Sequence, residues 1–179
     1  MHEDVEKILV SEEEIKEICK RLGEEISRDY ADKKLLLVSV LKGAVVFMAD
    51  IMRNITCECE IDFMAVSSYS NSKTTGVVKF KKDLDIDPDG RDILIIEDIL
   101  DSGITLSYLK NVLLQRNAAS IKICAFLDKP ANRQADITAD YVGKVVPDEF
   151  VVGYGLDYNE KYRKLPYVGA LSPKVYADK

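Results

Sequence analysis

Three short, densely apolar runs constrain the fold of this 179-residue chain more than anything else in it. Residues 35–41, 93–96 and 121–127 are shorter than the roughly 10–12 residues of a buried helix, so each predicts a strand covered on both faces. A turn and a helix follow the first two. Lys42-Gly43 breaks the first run before an apolar stretch at 44–52, and an acidic, glycine-containing loop separates the second from a helical stretch at 106–114. Strands alternating with helices in this way predict an α/β fold, a mainly parallel twisted sheet with helices on both faces.

Around this frame, Ser11 and Glu14 have the spacing of a capping box. Ile15, Ile18, Leu22 and Ile26 then repeat at helical spacing, which predicts an amphipathic helix over 12–30. A strand is expected over 61–69, a polar loop of small residues over 70–76, another strand over 77–80 and a turn at 87–90. The third apolar run ends at Asp128-Lys129-Pro130, and residues 150–152 read as a short fourth strand ending at Gly153-Tyr154-Gly155. With 47% hydrophobic content the chain can bury one sizeable core, and no Pro- or Ser-rich linker divides it, so residues 1–179 read as a single domain.

The net charge of −6 gives no general attraction to nucleic acid or anionic lipid. No apolar run approaches the ~18 residues of a membrane span, and the polar N-terminus lacks a signal pattern. The expectation is a cytoplasmic protein without nucleic-acid or membrane partners. Cys19, Cys57, Cys59 and Cys124 read as reduced thiols. Cys57 and Cys59 alternate to opposite faces of a strand, with no second pair to complete a zinc site. His2, the only histidine, sits at a terminus expected to fray, away from any catalytic role.

Ligands of an open parallel sheet bind beyond the carboxyl ends of its strands. Residues 95–105, IIEDILDSGIT, bring Glu97, Asp98 and Asp101 there. Three crowded carboxylates repel unless a cation or hydroxyl donors meet them, and a sugar diol with Mg²⁺ would do so. Ser102, Gly103 and Thr105 add hydroxyls and a permissive backbone at a helix N-terminus, where a phosphate is favoured. A plainer reading ends the strand in solvent and uses Asp101-Ser102 as a helix cap. The glycines form neither an NTP-binding P-loop nor a dinucleotide fingerprint. On chemistry alone, a receiver-like phosphoacceptor domain competes, since it also gathers carboxylates, Mg²⁺ and a lysine at strand ends.

The segment 95–105 closely resembles the phosphoribosyl pyrophosphate signature of the type I phosphoribosyltransferases. VLKGA at 40–44, FLDK at 126–129 and DEFVVGYGLDYNEKYR at 148–163 resemble the hypoxanthine-guanine branch, in that family's order, and the likeness spans about 5–171. The last eight residues add nothing to it. The resemblance implies transfer of a 5-phosphoribosyl group from phosphoribosyl pyrophosphate to hypoxanthine, and to guanine, with Mg²⁺. It also implies a small hood that binds the base, and a homodimer or homotetramer.

By the same resemblance, Glu97 and Asp98 hold the ribose hydroxyls and Mg²⁺, and Asp101 accepts a proton near purine N7. Ser102, Gly103, Ile104 and Thr105 form the 5′-phosphate loop. Lys42, Gly43 and Arg163 meet the pyrophosphate, with a cis peptide often found before that lysine. Lys129 donates to the purine 6-oxo group, Phe150 stacks, Val151 gives backbone contact, and Asp157 holds a second Mg²⁺ beside the base. Ser68 and Tyr69 begin the lid. Two neighbouring functions remain open at this stage: a sister transferase preferring xanthine, and a regulator that keeps the phosphoribosyl site as a sensor for RNA or protein binding.

Overall fold

The computed structural model describes residues 1–68 and 78–177. Its larger sheet has six strands in the order β4 (Val78–Lys82), β3 (Cys59–Ser68), β2 (Leu35–Leu41), β5 (Asp92–Leu100), β6 (Ser120–Asp128) and β7 (Tyr141–Val145). All neighbours are parallel except β3 and β4. The three apolar runs form the centre, as their lack of polar alternation requires.

Period-2 geometry splits these runs between two cores. Leu35, Leu37, Leu94, Ile96, Cys124 and Phe126 pack under α1 (Glu12–Asp29) and α2 (Val45–Asn54). Leu36, Val38, Ile93, Ile95 and Ile123 pack on the opposite face with Leu106, Leu109 and Leu113 of α3 (Ile104–Gln115). Ser11 caps α1, its Oγ accepting from Glu14 N–H at 3.2 Å. The return half of the capping box is not seen, because the Glu14 carboxylate is 2.6 Å from Lys144 Nζ on β7.

A second sheet lies apart: β1 (Val5–Val10), β9 (Val168–Leu171) and β8 (Val151–Val152), all antiparallel. The fourth strand expected from sequence is therefore a member of this small sheet rather than of the parallel one. This is the hood, and it carries Phe150 and Val151. His2 is tied down rather than frayed, its N–H donating to Tyr167 Oη at 2.7 Å and its ring lying edge-on to Tyr162. All four cysteines are free. Among the described residues no helix is long and apolar enough to cross a membrane.

Asp62, on β3, is buried and holds the connection between β4 and β5. It accepts from the N–H groups of Asp85 at 2.7 Å, Ile86 at 2.8 Å and Phe63 at 2.7 Å, and Lys82 lies 3.4 Å away. Of the expected lid, Ser68 ends β3 in register with Val78. Tyr69 and the loop 70–76 lie outside the described residues.

Candidate active site

β5 does not stop at Ile96, where the sequence reading ended it, but continues through the acidic pair to Leu100. Its pairing with β2 ends at Ser39 opposite Ile96, whereas its pairing with β6 runs on to Asp128. Glu97 and Asp98 thus project from a rigid strand at the carboxyl edge of the sheet. Alternation also slips by one residue across this pair: Leu94, Ile96 and Ile99 face the α1–α2 side, Ile93, Ile95 and Leu100 the α3 side.

The pair is desolvated and poorly partnered. Glu97 Oε2 is buried and accepts no hydrogen bond among the described residues. Burial first, and then the neighbouring Asp98 charge, pushes the Glu97 carboxyl well above the usual carboxylate range. Asp98 is pushed up to about 6, mainly by burial, against the opposing effects of the Ile99 N–H, which donates at 2.8 Å, and the Arg163 charge. Buried carboxylates without partners are costly, and a divalent cation would relieve that cost.

Across the gap from β5, the Leu41-Lys42 peptide is cis, as the resemblance implied. Gly43 abuts the Asp98 carboxylate so closely that a Cβ there would lie 2.8 Å from Asp98 Cγ and overlap Oδ2. Gly155, at φ +98°, packs against the Gly43 carbonyl, so the two glycines let two backbone segments and the Asp98 carboxylate meet. Lys42 Nζ is 3.0 Å from Glu160 Oε1, and Arg163 Nη2 is 3.1 Å from Glu160 Oε2 and 2.8 Å from Asp157 Oδ1. Arg163 Nη1 also donates to Gly155 O at 2.7 Å. Lys42, Arg163 and Asp157 therefore share one charged cluster, with Glu160 at its centre.

Just beyond Asp98 in the chain, Ile99 and Asp101 line a cleft of about 190 Å³ with Lys129, Phe150, Val151, Leu156 and Asp157. Lys129 is buried, and its Nζ donates to Glu149 O at 3.1 Å, with Asp148 Oδ1 at 3.3 Å and Asp101 Oδ2 at 3.8 Å. Asp101 Oδ1 is buried without a hydrogen-bond partner among the described residues. Phe150 is 40% exposed, enough to offer a ring face, and is backed by Tyr158 and Tyr176 at centroid distances of 5.4 Å. After Asp101 the chain turns through Gly103 at φ +77° into α3, and no side chain caps the helix at Gly103. The cap position is Gly103, one residue beyond the Asp101-Ser102 of the plainer reading, and Ser102 Oγ accepts only a long bond, 3.5 Å, from the Ile104 N–H.

Comparison with known proteins fits this arrangement. Residues 7–159 match the phosphoribosyl transferase domain family. The chain belongs to that family. This phosphoribosyltransferase is 58% identical over 177 residues, 98% of each chain, to the hypoxanthine-guanine phosphoribosyltransferase of Bacillus subtilis (strain 168). It is 51% identical over 178 residues, 99% of each chain, to a Staphylococcus epidermidis protein of the same name. A crystal structure of a Staphylococcus aureus hypoxanthine phosphoribosyltransferase superposes with a TM-score of 0.95 at 50% identity, covering 98% of this chain and 96% of that one.

Within the phosphoribosyltransferase, the structure brings Asp101, Lys129, Phe150, Val151 and Asp157 to one cleft, and Lys42, Arg163 and Asp157 to one charged cluster beside Gly43 and Asp98. Glu97, Asp98 and Asp157 do not close into a ligand set, since no three His, Cys, Asp or Glu side chains among the described residues converge as a metal cage. An ion held here would complete its coordination with substrate oxygens and water, the usual habit of Mg²⁺. Sequence reasoning missed Ile99, Glu149, Glu160 and Tyr176. Glu160 lies three residues before Arg163 inside a motif already singled out. Tyr176 falls among the final residues set aside as adding nothing, yet it packs against Phe150.

Proposed function

We propose that this phosphoribosyltransferase moves the 5-phosphoribosyl group from phosphoribosyl pyrophosphate to hypoxanthine and guanine, giving the 5′-mononucleotide and pyrophosphate. The observation that carries the reading is the shared cleft. A buried ammonium, a carboxylate with one unpartnered oxygen and an aromatic ring line it together, next to a desolvated acidic pair.

The chemistry follows from those groups. A 6-oxo group accepts from Lys129 Nζ, replacing the Glu149 carbonyl as its acceptor. A 6-amino base instead turns a donor toward the ammonium, and a site built for an acceptor rejects such a ligand by large factors. Ile99 and Phe150 enclose the ring. Asp101 takes the proton near N7 as the neighbouring nitrogen forms its bond to C1′. Glu97 and Asp98 would hold the ribose diol and one magnesium, and Asp157 a second, and the bound metal would offset charge on the departing pyrophosphate. Lys42 and Arg163 are point-charge and bidentate ligands for that pyrophosphate, beside the Gly43 N–H. The loop 102–105 presents Ser102, Gly103, Ile104 and Thr105 to the 5′-phosphate at the N-terminal end of α3. Positioning and electrostatics do most of the work.

The test is pyrophosphate release from phosphoribosyl pyrophosphate and Mg²⁺ with hypoxanthine, guanine, xanthine or adenine. Turnover with hypoxanthine or guanine, and a loss of about 10²–10⁴-fold in Asp101→Ala, is the expected result. Preference for xanthine would assign the sister activity, and no turnover with any purine would favour the regulator. The homo-oligomer implied by the resemblance is checked by light scattering on the same sample.

A further inference from the structure

The loop that bears Asp101 rests on a brace, the segment 128–137, of which the functional reading uses Lys129 alone. Its hydrogen bonds converge on the two carbonyls flanking Asp101. Leu100 O accepts from Lys129 N–H at 3.0 Å and from Arg133 Nη2 at 3.4 Å. Ser102 O accepts from Gln134 N–H at 2.9 Å and Ala135 N–H at 3.1 Å. Arg133 ties the brace to itself as well: Nη1 donates to Ile137 O at 3.2 Å, and Nη2 pairs with the Asp128 carboxylate. Its side chain is only 17% exposed and lines neither the 190 Å³ cleft nor the charged cluster. Gly103 closes the fit, since a Cβ there would lie 2.5 Å from Ile137 Cγ2 and 3.2 Å from Arg133 Cδ.

We propose that Arg133 is a positioning residue for the phosphate loop. By joining Asp128, Leu100 O and Ile137 O through one planar guanidinium, it sets the height and tilt of residues 101–105. A loop carried on a flexible strand end would sample many arrangements, and one misplaced by about 1 Å loses on the order of 10²-fold in a reaction that depends on alignment. A guanidinium is suited to this task because its fixed fork reaches a carboxylate and two carbonyls at once, which an ammonium on a single atom does not. The inference rests on the reading of 102–105 as the 5′-phosphate site.

The experiment isolates what the 5′-phosphate adds. Dissociation constants of inosine 5′-monophosphate and of inosine are measured by calorimetry for the wild type, Arg133→Met, Arg133→Lys and Asp128→Asn, with pyrophosphate as a third ligand. The ratio of the inosine constant to the monophosphate constant should fall about tenfold in Arg133→Met and about threefold in Asp128→Asn, and Arg133→Lys should restore part of it. Pyrophosphate affinity should stay within twofold. Loss of global stability alone would weaken all three ligands together and leave the ratio unchanged. If the wild type prefers the monophosphate and Arg133→Met keeps that preference within twofold, Arg133 does not position the loop. If the wild type shows no preference, the phosphate-site reading falls and takes this inference with it. Should Arg133→Met fail to fold, Asp128→Asn and Arg133→Lys carry the same test.

Discussion

Gly43→Ala probes the close approach of the backbone to the Asp98 carboxylate. The φ of Gly43 is not among the positive values, so alanine is compatible with the local backbone and the penalty is purely one of space. The added Cβ would overlap Asp98 Oδ2 and stand 2.8 Å from Cγ, whereas carbon atoms rest about 3.5–4.0 Å apart, so the carboxylate must turn aside or separate from the loop by roughly 1 Å or more. The Asp98 carboxylate is held by the Ile99 N–H at 2.8 Å and Gly43 is held from behind by Gly155, so swinging the carboxylate aside gives up that hydrogen bond. A displacement of that size costs on the order of 10²-fold in kcat/KM, about 2.7 kcal/mol of transition-state stabilisation. Initial rates of pyrophosphate release across phosphoribosyl pyrophosphate concentrations measure it. Thermal unfolding should change little, which separates displacement from unfolding. Asp98→Ala removes the obstacle together with the carboxylate, so Gly43→Ala added to Asp98→Ala should cost less than threefold more. Full additivity of the two losses, or a Gly43→Ala enzyme within threefold of wild type, would refute the steric argument.

Three further outcomes are expected. Lys129→Gln should lower kcat/KM for hypoxanthine by about 10²-fold and narrow its margin over adenine, measured by competing the two bases. Asp98 binds its proton more tightly folded than unfolded, since burial lifts it from 3.8 to about 6. Its contribution therefore falls as pH rises from about 4 through 6, and the melting temperature gained on adding Mg²⁺ should be larger at pH 7.5 than at pH 5. An Mg²⁺ shift of equal size at both pH values would contradict this. Asp62 is the opposite case: burial alone raises its pKa, but the N–H groups of Ile86, Phe63 and Asp85 outweigh it and leave it lowered. Its stabilisation is present above the unfolded value and lost as pH falls through the folded one. Asp62→Ala should then cost roughly 3 kcal/mol by denaturant titration at pH 7, a deficit that shrinks below pH 4.

What the sequence made legible follows from where the information sits. β2, β6 and α1 announce themselves because burial on both faces, or on one helical stripe, is a local pattern. β1, β7 and β9 went unread, since four to six ordinary residues become strands only through distant partners such as Leu171 opposite Val5 or Tyr141 opposite Cys124. Charge at Glu97 and Asp98 argued for the end of a strand, but pairing with β6 carries the backbone past it. The residues proposed to carry the chemistry lay in motifs and were visible. Their supports were not: Arg133, in the polar stretch Asn132-Arg133-Gln134, looks like any surface arginine until the fold sets Leu100, Ile137 and Asp128 around it.

Glu160 has a kinetic consequence. Its carboxylate already bridges Lys42 and Arg163, the two cations proposed above to meet the pyrophosphate. An incoming anion thus enters by ligand exchange rather than by occupying bare charge, and the number of ionic contacts barely rises. The displaced carboxylate stays tethered nearby at high effective concentration, ready to reclaim both cations. Such a built-in competitor sacrifices affinity for the anion in the ground state and hastens its escape once the bond to ribose is broken, so the cluster is arranged for turnover rather than for retention.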